Sequence, residues 1–259
     1  MANNKKGFHK IRRIIGTVWK IAGLSFLLWM FYSYQSRGFP DSVIQSDKLI
    51  TVTQNGENIS FIPIENKRIT GFIFYPGGMV DSKSYAPMAR HLAESGFTVY
   101  IVKLPLGFAP LSGQETDVMN YTRKIMDTNQ SIQRWVLGGH SRGAAIASRF
   151  ASHNNDLFSG LILIGTSHPK DYEFDLSNSG LLVMKIYATR DGLASVSEIE
   201  ETGKFLPSDT IWVKIDGGNH SQFGYFGTLL GDGRAEISRE EQQTMTISAI
   251  LSMLNDVDQ

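Results

Sequence analysis

The 259-residue chain has no cysteine. That absence excludes disulfide staples, Cys-ligated zinc, iron–sulfur clusters and a thiol nucleophile. Net charge is also absent: 25 Lys+Arg balance 25 Asp+Glu, which removes the overall basic character of a nucleic-acid binder. There is no internal repeat, low-complexity tract, Walker loop, dinucleotide-binding glycine fingerprint or cluster of metal-ligand spacing. Gly231-Asp232-Gly233 is too short for a calcium loop. No cofactor, metal or nucleic acid is therefore expected. What remains, at 42% hydrophobic and 19% charged residues, is the composition of a globular protein.

Acidic residues are missing from one region altogether. Residues 1–40 carry seven Lys or Arg and no Asp or Glu, so the rest holds 18 basic and 25 acidic side chains, a net of −7. Within the basic part, Ile14 to Tyr34 is an apolar run with one charge, Lys20. As a helix its 21 residues would span ~31 Å, about one hydrocarbon core. Trp19, Trp29, Tyr32 and Tyr34 suit the membrane interfaces. A cleaved signal peptide and a buried helix are the alternatives. The residues after the run offer no good small-x-small cleavage site, and seven unopposed cations fit poorly around a buried helix. The expectation is a basic cytoplasmic N-terminus (1–13), a transmembrane signal-anchor (14–34), a linker (35–47) and an extracytoplasmic catalytic domain (48–259).

Beyond the linker the pattern alternates. Leu49 to Gln54 and Ile59 to Ile64 flank Asn55-Gly56, a hairpin signal. Short apolar strands then alternate with helices: strands at 69–75, 97–102, 132–137, 157–164, 181–188 and 210–215, and helices at 84–95, 115–127, 143–152, 196–205 and 238–254. Ser238 and Glu241 form a capping-box pair ahead of the last helix. Wholly apolar strands between helices predict an α/β fold with a mostly parallel sheet covered on both faces.

Gly139-His140-Ser141-Arg142-Gly143 matches G-x-S-x-G, with an apolar strand before it and a small-residue helix after it. A strand turning directly into a helix strains the central residue and leaves room only for glycine on either side. The turn lifts the Ser141 hydroxyl above the sheet edge, where the helix N-terminus favours negative charge. Such a serine needs a base and the base needs an acid, in the chain order Ser, Asp or Glu, His. His153, His168 and His220 are the downstream histidines. His220, after the last strand in Asp216-Gly217-Gly218-Asn219-His220, is the favoured base. Asp191, which also follows a strand, is the favoured acid, with Asp171 and Asp175 as alternatives. The oxyanion hole is expected from the backbone N–H of Arg142 and of Gly78 or Met79, in the loop Pro76-Gly77-Gly78-Met79. The Arg142 side chain is read as a solvated helix-start arginine, with attraction of an anionic substrate as the alternative.

The stretches Tyr75-Pro76-Gly77-Gly78, Tyr85-Ala86-Pro87-Met88-Ala89, Gly138-Gly139-His140-Ser141-Arg142-Gly143-Ala144, Tyr187 to Leu193 and Gly217 to Gly224 resemble the α/β-hydrolases. They resemble more narrowly the bacterial fold-5 group related to dienelactone-hydrolase-like enzymes. The resemblance runs from about Gly71 into the final helix. It implies an α/β-hydrolase fold and a serine-hydrolase mechanism at Ser141, Asp191 and His220. Dienelactone hydrolases proper use a Cys nucleophile, which this chain lacks, so their substrate is not implied.

The gap from Gly165 to Gly180 holds 16 residues, too few for a large lid. The expected activity is a membrane-anchored carboxylesterase with an open site, acting on a small or short-chain ester. The alternatives are an acyltransferase to a cell-envelope alcohol on the same triad, and a non-catalytic hydrolase-fold binding protein. Phe223, Tyr225 and Phe226 either line an acyl pocket or pack as ordinary loop residues.

Overall fold

The computed structural model describes residues 2–259, with side chains from residue 12 onward; the basic side chains of Lys5, Lys6 and Lys10 lie outside the described residues. Eight strands form one sheet in the order β1-β2-β4-β3-β5-β6-β7-β8. The first two, β1 (Ile50–Gln54) and β2 (Asn58–Pro63), make the hairpin, and β2 also runs antiparallel to β4 (Thr98–Val102). The others are parallel: β3 (Thr70–Tyr75), β5 (Arg134–His140), β6 (Gly160–Ile164), β7 (Leu182–Ala188) and β8 (Ile211–Ile215). This is the mostly parallel α/β sheet that the alternation predicts, and the α/β-hydrolase fold that the resemblance implies.

Helices α2 (Ala86–Glu94) and α6 (Arg239–Asp258) cover one face, where Met88, Leu92, Met253 and Leu254 pack on Phe72, Phe74 and Ile101. On the other face α3 (Ser112–Thr128) and α4 (Arg142–His153) bring Val118, Ile125, Ile146 and Phe150 onto Ile73, Leu137 and Leu163. Helix α5 (Val196–Thr202) buries Ile199 against Tyr187. Burial on both faces explains why the central strands read as unbroken apolar runs. The Ser238–Glu241 capping box forms as expected.

Three of the boundaries that differ from the sequence pattern have a local cause. The hairpin turn is centred on Gly56-Glu57, one residue later than Asn55-Gly56. The Asn55 side chain accepts from the N–H groups of Glu57 and Asn58, at 2.7 Å each, and so occupies the first turn position. The expected helix 84–95 is a 3-10 turn at Ser82–Tyr85 followed by α2, whose second residue is Pro87. The helix expected to end at Phe205 breaks at Gly203.

Helix α1 runs Ala2–Tyr34. Its Arg12–Tyr34 portion is long and apolar enough to cross a membrane, and that stretch is not buried by the rest of the protein. It stands out from the domain, with Trp19 74% and Phe31 68% exposed. Residues 33–47 run back along the domain instead of hanging free. Arg90, for instance, donates to the carbonyls of Val43 and Ser42 and pairs with Asp47.

Candidate active site

Three parallel strands deliver the three predicted residues to one edge of the sheet. β5 ends at His140, and Ser141 turns the chain into α4 with φ 53° and ψ −115°. That conformation costs a non-glycine residue roughly 1–3 kcal/mol and is held from both sides. The Ser141 N–H donates to the Ile164 carbonyl at 2.9 Å, and its own carbonyl accepts from Ala145. The flanking glycines are sterically required. A Cβ on Gly139 would lie 2.5 Å from the Gly143 carbonyl carbon, and one on Gly143 would overlap the carbonyl oxygens of Tyr75 and Pro76.

Asp191 follows β7 and His220 follows β8. Their side chains meet at 2.8 Å, His220 Nδ1 to Asp191 Oδ2, and both are almost fully buried. The other carboxylate oxygen, Oδ1, accepts from the N–H groups of Leu193 and Ala194 at 2.8 Å each. Asp191 is therefore oriented at one end and orients the imidazole at the other. His220 Nε2 is buried and has no hydrogen-bond partner among the described residues. A buried polar atom without a partner is rare. No hydrogen bond joins it to Ser141, a bond that in unliganded hydrolases is often long.

The competing residues are placed otherwise. His153, at the end of α4, bonds the Arg149 carbonyl and stacks on Phe174. His168 meets Thr166 and no carboxylate. Burial, with Arg149 and Lys170 nearby, lowers its pKa to about 4. Asp171 and Asp175 are exposed.

The loop after β3 distinguishes its own N–H groups. Gly77 N–H donates to the Tyr85 hydroxyl at 2.9 Å, and Met79 N–H donates to the Gly107 carbonyl at 2.7 Å. Gly78 N–H has no acceptor among the described residues, nor does Arg142 N–H at the start of α4. The two peptides are adjacent, since a Cβ on Gly78 would lie 3.2 Å from Arg142 Cβ. The Arg142 side chain is partly exposed, but its guanidinium is bonded within the fold instead of standing free in solvent. It donates to the carbonyls of Phe108 and Ala109 and pairs with Glu115, which also takes Arg149. It thereby fixes the loop 104–111, where Leu106 and Ala109 both have positive φ.

Two supporting residues were not singled out from the sequence. Tyr85, read there only as helix-face core, accepts from Gly77 N–H and shares a second hydrogen bond with His140 Nδ1, 2.8 Å away. One phenol thus links the β3 loop to the residue before Ser141. Burial raises the Tyr85 pKa, which keeps the phenol protonated. Burial, and then the proximity of His220, holds the His140 pKa well below the ordinary histidine value, so this ring, tilted against that of His220 with centroids 4.5 Å apart, is neutral. Asp232 is the second. One carboxylate oxygen accepts from His220 N–H (3.1 Å) and Gly192 N–H (3.2 Å), and the other from Ser221 N–H (2.8 Å) and Oγ. It clamps the Asp191 loop to the His220 loop. Phe223 and Phe226 are core residues packed around His140.

No curated protein matches the sequence. Many solved structures share the fold. A soluble variant of monoglyceride lipase from Saccharomyces cerevisiae has a TM-score of 0.64 at 12% identity, covering 85% of this chain and 99% of that one. A predicted CIB-like hydrolase from Thermoplasma acidophilum has 0.61 at 13%, covering 78% and 99%. An alpha-beta serine hydrolase homologue from Coxiella burnetii has 0.57 at 15%, covering 81% and 99%. At these identities the likeness is one of fold. The sequence profile of the alpha/beta hydrolase family, fold-5 group, matches residues 71–244, two-thirds of the chain and all of the elements that carry the site, and the chain belongs to that family.

Proposed function

We propose that the protein is a membrane-anchored serine carboxylesterase with Ser141 as nucleophile, His220 as general base and acid, and Asp191 as the orienting carboxylate. The observation that carries this reading is the buried Asp191–His220 bond, made through Nδ1, which leaves His220 Nε2 without a hydrogen-bond partner and free to take a proton.

In the proposed mechanism Ser141 Oγ bonds to the ester carbonyl carbon as its proton passes to His220 Nε2. The oxyanion is met by the two free N–H groups, Gly78 and Arg142. Asp191 stabilises the imidazolium without taking its proton. The tetrahedral intermediate collapses, the C–O bond to the alcohol breaks, and His220 gives its proton to the departing oxygen. Water then loses a proton to His220 and adds to the acyl-enzyme. The acid leaves and the proton returns to Ser141. The neutrality of His140 assists, because a cation 4.5 Å from His220 would oppose imidazolium formation. The uncapped entrance suits a small or short-chain ester. The exposed apolar α1 supports retention in a membrane with the N-terminus cytoplasmic and the catalytic domain outside.

The test is pre-steady-state hydrolysis of p-nitrophenyl butyrate. A burst of p-nitrophenol equal to the enzyme concentration, followed by equimolar butyrate release, is expected. Absence of turnover across short p-nitrophenyl esters would sink the reading.

A further inference from the structure

The end of α1 is bonded to the site-bearing loops, not merely linked to them by chain. The Ser33 carbonyl accepts from Gly227 N–H at 2.7 Å, and the Tyr34 carbonyl accepts from Asp81 N–H at 2.9 Å. Ser36 Oγ donates to Asp81 at 2.7 Å, and Arg37 N–H donates to the Tyr225 carbonyl at 2.8 Å. Asp81 lies in the loop that holds Gly78, and Tyr225 and Gly227 lie in the loop after His220. The helix is thus held on both sides of the candidate site.

Between helix and loop runs an apolar groove of about 330 Å³, lined by Leu27, Met30, Phe31, Tyr34, Gln35 and Met79. The first four lie at i, i+3, i+4 and i+7, one face of the helix. Met79 is 53% exposed and follows Gly78 directly, so the groove ends one residue from the free N–H. Around the same edge the loops after the strands show bare apolar side chains. Outside α1 the exposed large apolar residues number ten, and six of them, Met79, Leu106, Leu111, Tyr172, Leu193 and Leu230, lie in the loops after β3, β4, β6, β7 and β8. A set of apolar side chains on one side of a molecule marks a surface that meets something other than water.

We infer that this edge rests on the bilayer surface and that the substrate is an amphiphilic ester drawn from the membrane, its acyl chain seated in the groove between α1 and Met79. This rests on the anchored-esterase reading and extends its substrate from a short-chain ester to an amphiphilic one, because α1 supplies an acyl wall that the open entrance lacks. The occupant follows from continuity. The groove's helical wall belongs to the same apolar stretch that would cross the hydrocarbon, so a chain leaving the bilayer along α1 arrives at Met79 without crossing water. The helix supplies the apolar wall that the short 165–180 segment cannot.

The experiment uses the full chain reconstituted in phosphatidylcholine vesicles, with two substrates: 1-palmitoylglycerol within the vesicles and p-nitrophenyl butyrate in solution. Met30→Trp fills the groove while keeping α1 apolar. Val18→Trp, more than three turns toward the N-terminus, is the size-matched control. Leu27→Trp gives a second groove variant should the first fail to reconstitute. The expected result is turnover of both esters by the wild-type protein, at least a tenfold fall in the palmitoyl-to-butyryl rate ratio with either groove variant, and no change in the ratio with Val18→Trp. Butyryl turnover with no palmitoyl turnover, or an unchanged ratio in the groove variants, overturns the inference and leaves the esterase reading standing. Loss of both activities in the wild-type protein overturns both.

Discussion

The two halves of the site are held by different physics. On the nucleophile side, Ser141 is placed by steric exclusion: a strained φ, two glycines that admit no Cβ, and a small-residue helix packed close. On the acid–base side, Asp191 and His220 sit on longer loops and are placed by directed hydrogen bonds, with Asp232 tying one loop to the other. A steric clamp fails abruptly when a methyl group is added. A hydrogen-bonded clamp loses its grip one bond at a time, each worth roughly 1.5–3 kcal/mol when a carboxylate accepts.

The comparison is broken most severely at Gly143. Gly143→Ala drives a Cβ into the Tyr75 and Pro76 carbonyls and is expected to cost about 3 kcal/mol or more, with loss of soluble protein or of all esterase activity. Urea unfolding and p-nitrophenyl butyrate assay check this. Asp191→Asn keeps the shape but removes the charge that fixes the His220 tautomer. A fall in kcat of about 10³–10⁴-fold with a retained melting curve is expected; a loss under tenfold would reassign the acid.

Asp232→Asn tests the hydrogen-bonded clamp. Either its two acceptor interactions with Ser221 are lost, or those that its other oxygen makes with the N–H groups of His220, Gly192 and Gly233. kcat is expected to drop roughly 10–100-fold with KM little changed, because the base is misplaced while the entrance is intact. Tyr85→Phe strips the phenol that joins Gly77 N–H to His140. It is expected to lower kcat/KM by about tenfold or less, read by steady-state assay.

The smallest effect concerns a buried cation beside the polar half. Lys185 on β7 has one partner, the His168 carbonyl at 2.6 Å, and burial, followed by repulsion from Lys170, lowers its pKa from 10.5 to about 7. A lysine depressed in the fold holds fewer protons there than when unfolded. It therefore destabilises fully below pH ~7, and the penalty fades as pH rises toward 10.5. Lys185→Met should accordingly flatten this rise in stability between pH 6 and 9, measured by urea unfolding at both.

The same contrast explains what the sequence disclosed. Steric placement is local, so Gly139-His140-Ser141-Arg142-Gly143 marked the elbow, and the apolar alternation marked the parallel sheet. Asp191 and His220 stood out as candidates because each follows a strand, and their side chains meet in the fold. Asp232, Tyr85 and the engagement of Arg142 with Phe108 and Glu115 were not legible, because hydrogen-bond partners 8 to 55 residues apart leave no periodic trace. The docking of α1 was hidden for a related reason. An apolar run reads as a span, and nothing in its pattern says that its last two turns also wall a groove. Its partners, Asp81, Tyr225 and Gly227, are loop residues of ordinary composition.

The central claim is that Ser141 is the nucleophile. Its most direct test is fluorophosphonate labelling of the full chain in membranes, followed by mass spectrometry of the modified peptide. One adduct per chain on the peptide containing Ser141, absent in Ser141→Ala and slowed in Asp191→Asn, is the predicted result. An adduct that persists in Ser141→Ala, or that maps to another residue, would contradict it.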